Sequence, residues 1–339
     1  MLSDIKRKLM EDPEKLRELL DYYGFAHVHL KHNELRFARN EEGGLNIRIR
    51  LNANDNITTN DYVTGFSKDV IAFIMEMRSV SFRDVLYTIK RILNINDFEA
   101  IDKPKIIEPF GGFYSRLRKR KSTPVITVYP ETILNEYDNK GNLRFLDDHI
   151  SLESQRFFDL RYDSETDRII IPIRNEYGEL VGVKGRYNGV AEGDIQKYYY
   201  PYPVSSSQIL FGYSENYAFL QGNEVLVCES EKAVMQAYSY GYRNCLGLGS
   251  HTLSEKHVQL IYQLEPTKVI MAMDKGLKDQ FINENINALR NYTRMSDMEI
   301  WKWIPGDEIP DKASPTDMGK EKFRSIMETQ LERIYELRL

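Results

Sequence analysis

Apolar positions recur along this chain with two different periods, and the change between them divides it. The segment from Met1 predicts a charged amphipathic helix, and over residues 13–24 Leu16, Leu19, Leu20 and Tyr23 share one helical face that Gly24 closes. The period then drops to two in 26–30, 35–39 and 45–51, which predicts a small antiparallel sheet. Helical spacing returns with Val70, Ile71, Phe73, Ile74 and Met77. It continues behind a Ser81 cap with Phe82, Val85, Leu86, Ile89, Ile92 and Leu93. These elements predict a compact α+β domain over 1–98.

Residues 99–123 show no clear period. Pro104, Pro109, Gly111 and Gly112 precede Arg116, Arg118, Lys119, Arg120 and Lys121, so the stretch reads as a linker with a positive cluster. Apolar runs on either side of Asn175-Glu176-Tyr177-Gly178 predict a β-hairpin over 169–187. From residue 224 strand and helix alternate: strands at 224–228, 243–247, 268–273 and 298–303, helices at 230–240, 254–264 and 279–291. Short strands joined by helices of this length predict a parallel sheet with helices on both faces. A last helix is expected to carry Phe323, Ile326, Met327, Leu331, Ile334 and Leu337. No internal repeat is visible.

Composition narrows the picture. With 46 basic and 51 acidic residues, a net charge of −5, the balance argues against a general nucleic-acid coat protein, although a local basic groove remains compatible with it. Cys228 and Cys245, the two cysteines, sit in apolar strand-like runs and read as small buried hydrophobes. No secretory core and no apolar stretch of spanning length is visible, so the expectation is a soluble, cytoplasmic protein with no membrane partner. The chemistry centres on Glu229, after Val225-Leu226-Val227-Cys228, and Asp274, after Val269 to Met273. Acids at the carboxyl ends of neighbouring parallel strands converge where open α/β folds bind ligands, in the arrangement of a divalent-metal site that handles phosphate.

From about residue 147 onward the chain resembles the RNA-polymerase core of DnaG-type DNA primases with its TOPRIM domain. The resemblance rests on residues 150–162, Gly182-Val183-Lys184-Gly185-Arg186, Lys197-Tyr198-Tyr199 and 209–213. It continues with Val227-Cys228-Glu229-Ser230, the glycine turn Leu248-Gly249-Ser250, and Met273-Asp274-Lys275-Gly276. It implies an α/β fold, α+β overall, partitioned as a core subdomain over 124–222, a TOPRIM domain over 223–310 and a helical segment over 311–339. It further implies primer synthesis on a single-stranded DNA template from ribonucleoside triphosphates. Glu229 and Asp274 would hold Mg²⁺ or Mn²⁺, with Asp279, Asp307, Asp311 and Asp317 as candidate substitutes for further ligands, Asp279 and Asp317 first among them. Arg186, Lys197, Lys184, Gly249, Ser250 and the cluster Arg116 to Lys121 would contact DNA or nucleotide, and Tyr198 to Tyr202 would offer stacking faces.

Three departures accompany the resemblance: Ser230 follows the glutamate, Gly276 replaces the second acid of an Asp-x-Asp pair, and Ser314 begins the later Ser314-Pro315-Thr316-Asp317 motif. They define an alternative, a primase-derived subunit that binds single-stranded DNA or a replication partner without polymerising. The N-terminal domain resembles the family's zinc-binding domain without its thiolates, whose pairs would fall near 38–41 and 61–64. No zinc is therefore expected there, and template recognition or protein binding are its two readings. His27, His29 and His32 read as a solvated edge. No helicase-binding domain is expected after the core, so a replicative helicase would be engaged through another surface, and the resemblance implies a compact phage or mobile-element enzyme. Topoisomerases and nucleases share the acids but need a further nucleophile domain or an ATPase, and no phosphate-binding Gly-Lys-Ser/Thr loop occurs.

Overall fold

The computed structural model describes residues 2–31, 33–51, 57–64, 66–95, 126–190, 195–290 and 298–335. The linker with its basic stretch Arg116 to Lys121 and His32 lie outside them. Contacts divide the chain into two units, Met1–Ser67 with Leu86–Thr127, and Lys68–Val85 with Val128–Leu339.

In the first unit, α1 (Leu2–Glu11) leads to α2 (Pro13–Tyr22). Asp12 accepts from the Lys15 amide at 3.4 Å and Pro13 pre-sets the first turn, while Gly24 takes the left-handed conformation (φ +71°) beyond the helix. The three strands announced by the alternation follow as β1 (Ala26–Lys31), β2 (Glu34–Ala38) and β3 (Ile47–Arg50). Two more, β4 (Thr58–Asp61) and β5 (Phe66–Asp69), extend the sheet in the order β1-β2-β3-β4-β5. Leu35, Phe37, Ile47 and Ile49 point into the core. Sequence reading missed β4 because its inward residues, Thr59 and Asp61, are polar.

Asp61 is buried by virtue of its partners. Arg39 Nε donates to Asp61 Oδ2 at 3.0 Å and its Nη2 pairs with the same oxygen, while Asp61 Oδ1 accepts from the amides of Val63 (2.9 Å) and Thr64 (3.4 Å). Arg39 also donates to Thr64 Oγ1 at 3.1 Å. Burial alone would raise the Asp61 pKa; the Arg39 guanidinium and the two amides outweigh it and hold the carboxyl below its ordinary value. The two stretches where thiolate pairs would fall in a zinc-binding domain, 38–41 and 61–64, are thus joined by an ion pair.

The second unit includes α3 (Val70–Arg78), whose cap Asp69 accepts from the Ala72 amide at 2.8 Å and from the Tyr217 hydroxyl at 2.5 Å. Helix α4 (Phe82–Ile92), whose residues are divided between the two units after Val85, follows the Ser81 cap. Two short helices, α5 (Leu143–Asp147) and α6 (Leu152–Phe157), precede an antiparallel sheet in the order β6 (Arg161–Asp163), β7 (Arg168–Arg174), β8 (Leu180–Tyr187), β9 (Tyr198–Tyr202). The β7-β8 hairpin turns as its sequence indicates: Asn175 Oδ1 accepts from the amides of Tyr177 and Glu179, and Gly178 has φ +75°. Strand β8 is buried from Leu180 to Arg186, so both faces are covered and its polar members must find partners.

After α7 (Tyr217–Leu220) comes the alternating segment: β10 (Glu224–Cys228), α8 (Glu231–Ser239), β11 (Cys245–Gly247), α9 (Glu255–Gln263), β12 (Lys268–Ala272), α10 (Asp279–Arg290) and β13 (Glu299–Trp303). The sheet order is β11-β10-β12-β13, all parallel, with β14 (Leu331–Tyr335) antiparallel at the edge. This corrects the expected C-terminal helix, which stops as α11 (Lys320–Thr329). Leu331 and Arg333 instead pair with Trp303 and Trp301, and Arg333 bonds Glu299 at 2.6 Å. The ladder of β13 offers hydrogen bonds that outweigh one further helical turn. Cys228 and Cys245 are buried, unbridged neighbours with Sγ atoms 3.7 Å apart. No helix among the described residues is long and apolar enough to cross a membrane.

Candidate functional site

The acid edge is built by the register of two strands. Cys228 of β10 pairs with Ala272 of β12, so Glu229 and Asp274 emerge one and two residues past the paired ends. Ser230 then caps α8 by accepting from the Ala233 amide at 3.3 Å, which turns the chain sharply away and leaves Glu229 at the sheet edge. His251 Nδ1 lies 2.9 Å from Glu229 Oε1. Burial, then the carboxylates Glu229 and Asp317, push the Asp274 pKa up to about 7, against the pull of Lys232 and His251.

The loop carrying Asp317 is stitched to the end of β12. The Lys275 amide donates to Ala313 O and the Lys312 amide to Lys275 O, both at 2.9 Å, while Lys275 Nζ bonds Gly306 O and Ile309 O at 3.0 and 2.7 Å. Asp317 Oδ1 accepts from Lys232 Nζ at 2.5 Å and Gln236 Nε2 at 3.2 Å; Oδ2 accepts from the Ser314 amide at 2.9 Å and its hydroxyl at 3.0 Å. Burial raises the Asp317 carboxyl, but Lys232 and these donors more than offset it and hold its pKa down. Ser314 and Asp317 thus bond one another. Asp279, Asp307 and Asp311 are exposed. Among the described residues no three His, Cys, Asp or Glu side chains group as a metal cage.

Beside the acids lie cations. Arg186 Nη1 donates to Asp148 at 2.6 Å, and its guanidinium carbon lies 5.2 Å from the Phe145 ring centre. The exposed Lys197 has its pKa lowered by burial of part of its length and then by the charges of Arg186, Lys232 and Arg144, with Asp148 opposing. Arg144 donates to Asn188 O at 2.8 Å, while its Nε is buried with no acceptor. Gln236 joins the two sides, donating to Asp148 O at 2.8 Å as well as to Asp317.

Lys184 is placed differently from these. Its ammonium is buried, 2.8 Å from Glu231 and 4.3 Å from the Tyr198 ring centre, beside a cavity of about 120 Å³ that Ser206 and Gly249 help to line. Burial lowers its pKa and the Glu231 carboxylate more than restores it. Gly249 has φ +63° and Ser250 Oγ bonds Thr252 O at 3.1 Å. Tyr199 and Tyr200 are about half exposed.

Lys232, Gln236, Arg144, Asp148 and His251 were not singled out from sequence. Lys232 did carry a signal: a lysine in the first turn of a helix opposes the dipole and implies a carboxylate partner.

No protein-family model matches the chain. A DNA primase of Lactococcus lactis subsp. lactis (strain IL1403) is 27% identical over 176 residues, half of this chain and 26% of the relative's length. Among solved structures, the zinc-binding and RNA polymerase domains of Aquifex aeolicus primase superpose over 98% of this chain and 87% of that one, with a TM-score of 0.50 and 17% identity. The chain has the fold of the DnaG-type primases. A DnaG primase catalytic domain bound to single-stranded DNA matches over 59% of this chain and 77% of that one, with a TM-score of 0.47 and 18% identity. The curated primase match takes in about a quarter of that relative's length.

Proposed function

We propose that the chain is a DNA primase that makes short RNA primers on single-stranded DNA by metal-dependent nucleotidyl transfer. The observation that carries this reading is the adjacency, in one unit, of a half-buried acid pair, Glu229 and Asp274, and a cluster of cations, Arg144, Arg186, Lys197 and Lys232. The alternating β/α segment around the acids is read as a TOPRIM domain. Hard carboxylate oxygens suit Mg²⁺ or Mn²⁺; burial first, then Glu229 and Asp317, raise Asp274, and a divalent ion would relieve the part owed to those carboxylates. Such an ion, when bound, neutralises charge developing on a transferred phosphoryl group. Arg186 and Lys197 would hold the triphosphate and steer the nucleotide towards the acids.

The first unit supplies a surface for template. On the outer face of its sheet His29 lies opposite Arg36, Arg36 opposite Arg48, and Arg48 opposite Asn60. Glu34 lies 3.3 to 3.6 Å from Arg36, Arg48 and Arg50, so one carboxylate serves three guanidinium groups and the face keeps a positive excess. Arg48 also covers the exposed Tyr62 ring at 5.2 Å. Such a face suits phosphates of a single strand. Arg36→Ala with Arg48→Ala is expected to weaken oligodeoxynucleotide binding by about tenfold at low salt and to flatten its salt dependence. Fluorescence anisotropy against salt concentration checks both.

The deciding experiment supplies labelled ribonucleotides and a single-stranded template with Mg²⁺ or Mn²⁺. Products from the wild type and none from Glu229→Gln support the proposal. A second reading, a subunit that binds single-stranded DNA without polymerising, is favoured by the absence of a three-ligand cage among the described residues. Template binding with no product in either metal would select it.

A further inference from the structure

Asp317 is the third carboxylate near the pair, and its lone pairs are taken. Lys232, Gln236 and both donors of Ser314 occupy its two oxygens at 2.5 to 3.2 Å. Ser314 with Asp317 forms a reciprocal capping box around the turn Pro315–Met318, and Thr316 Oγ1 donates to Gln236 Oε1 at 2.8 Å, so the carboxylate is held from several sides. Neither residue directly after Asp274 offers a replacement. Lys275 spends its ammonium on two carbonyls, and Gly276, at φ +90°, has no side chain. Glu229, whose Oε1 meets His251 Nδ1 at 2.9 Å and whose Oε2 remains, and Asp274 are the carboxylates left for an ion.

Lys232 stands between the two halves of the site. It follows Glu229 by three residues, its charge acts on both Asp274 and Lys197, and its contact with Asp317 uses one of three ammonium donors. We infer that Lys232, clamped by Asp317, is a resident cation in the place a second divalent ion would take, so that the centre binds one ion, between Glu229 and Asp274. The free donors of Lys232 then face phosphate oxygens as a fixed charge. This rests on the metal-dependent reading above and adds its stoichiometry.

Titration of the full chain with Mn²⁺ alone, followed by electron paramagnetic resonance and calorimetry, tests it without any turnover. The wild type is expected to bind one ion. Lys232→Met removes the ammonium from Asp317 Oδ1, where Gln236 alone still donates, and should add a second ion within about tenfold of the first in affinity, while Lys232→Arg and the double variant Lys232→Met/Asp317→Asn should stay at one. Two ions of similar affinity on the wild type, or a single ion on Lys232→Met, would overturn the inference and leave the metal reading standing. No ion on a folded wild type would overturn the metal reading itself, and the inference with it.

Discussion

Asp274→Asn is expected to make the chain more stable and chemically silent. In the unfolded chain an aspartate titrates near 3.9, whereas burial and the neighbouring Glu229 and Asp317 push folded Asp274 up to about 7. Between those values the native state holds a proton that the unfolded chain has released, so stability falls as pH rises through this window and stays reduced above it. Asparagine removes the penalty. In chelator at pH 8 the variant should melt ~2–4 °C above the wild type, the size of about 1 kcal/mol in a large domain, because solvent reaching a half-exposed carboxyl screens much of the effect. The difference should shrink as pH falls towards 4. Added Mn²⁺ should raise the wild-type melting temperature and leave the variant unchanged, since a ligand stabilises only the state that binds it. Nucleotidyl transfer should drop by roughly 10²–10³ or more, as when a charge-stabilising group at a transition state is lost. Equal melting temperatures at pH 8 in chelator would mean that Asp274 carries no stored repulsion.

The position of the acid pair at the strand ends was legible in sequence. A strand buried on both faces tolerates few polar residues, so an acid directly after Val225 to Cys228 or Val269 to Met273 marks the strand's end. Other parts of the site were less legible because their polar groups are matched across long sequence separations. Lys184 lies on β8, where burial on both faces removes the alternation that would assign a side chain to solvent or core; its partner Glu231 comes from a different layer. Asp317 reads as a free acid in a polar loop until Lys232 and Gln236, on α8, are placed against it. The edge strand β14 was lost for a related reason. Leu331 and Ile334 fit a helix as well as a strand, and the choice is made by the unpaired ladder of β13.

The N-terminal sheet illustrates the same matching at the scale of a whole unit, and Arg39→Met is expected to expose it. Substitution strands the Asp61 carboxylate, whose side chain is fully buried, with two backbone amides and no counter-charge. Removing one partner of a buried pair costs about 3–5 kcal/mol. Asp61→Asn should cost less, on the order of 1–2 kcal/mol, because the guanidinium of Arg39, 39% exposed, can turn to water while the amide oxygen still accepts from Val63. The pH dependence separates the two mechanisms. In the wild type the Asp61 pKa is depressed, so its contribution is present above the unfolded value near 3.9 and is lost as pH falls through the folded one. Without Arg39 only the Val63 and Thr64 hydrogen bonds oppose burial, so the carboxyl is expected to rise, with the penalty fullest at pH 7 and easing on acidification. The gap between wild type and Arg39→Met should therefore narrow from pH 7 to pH 4, read by denaturant unfolding with amide exchange at β2 and β4 as the local probe. A gap that stays constant over that range would show that Arg39 acts through packing of its methylene stem, and that the ion pair is not what fastens 38–41 to 61–64.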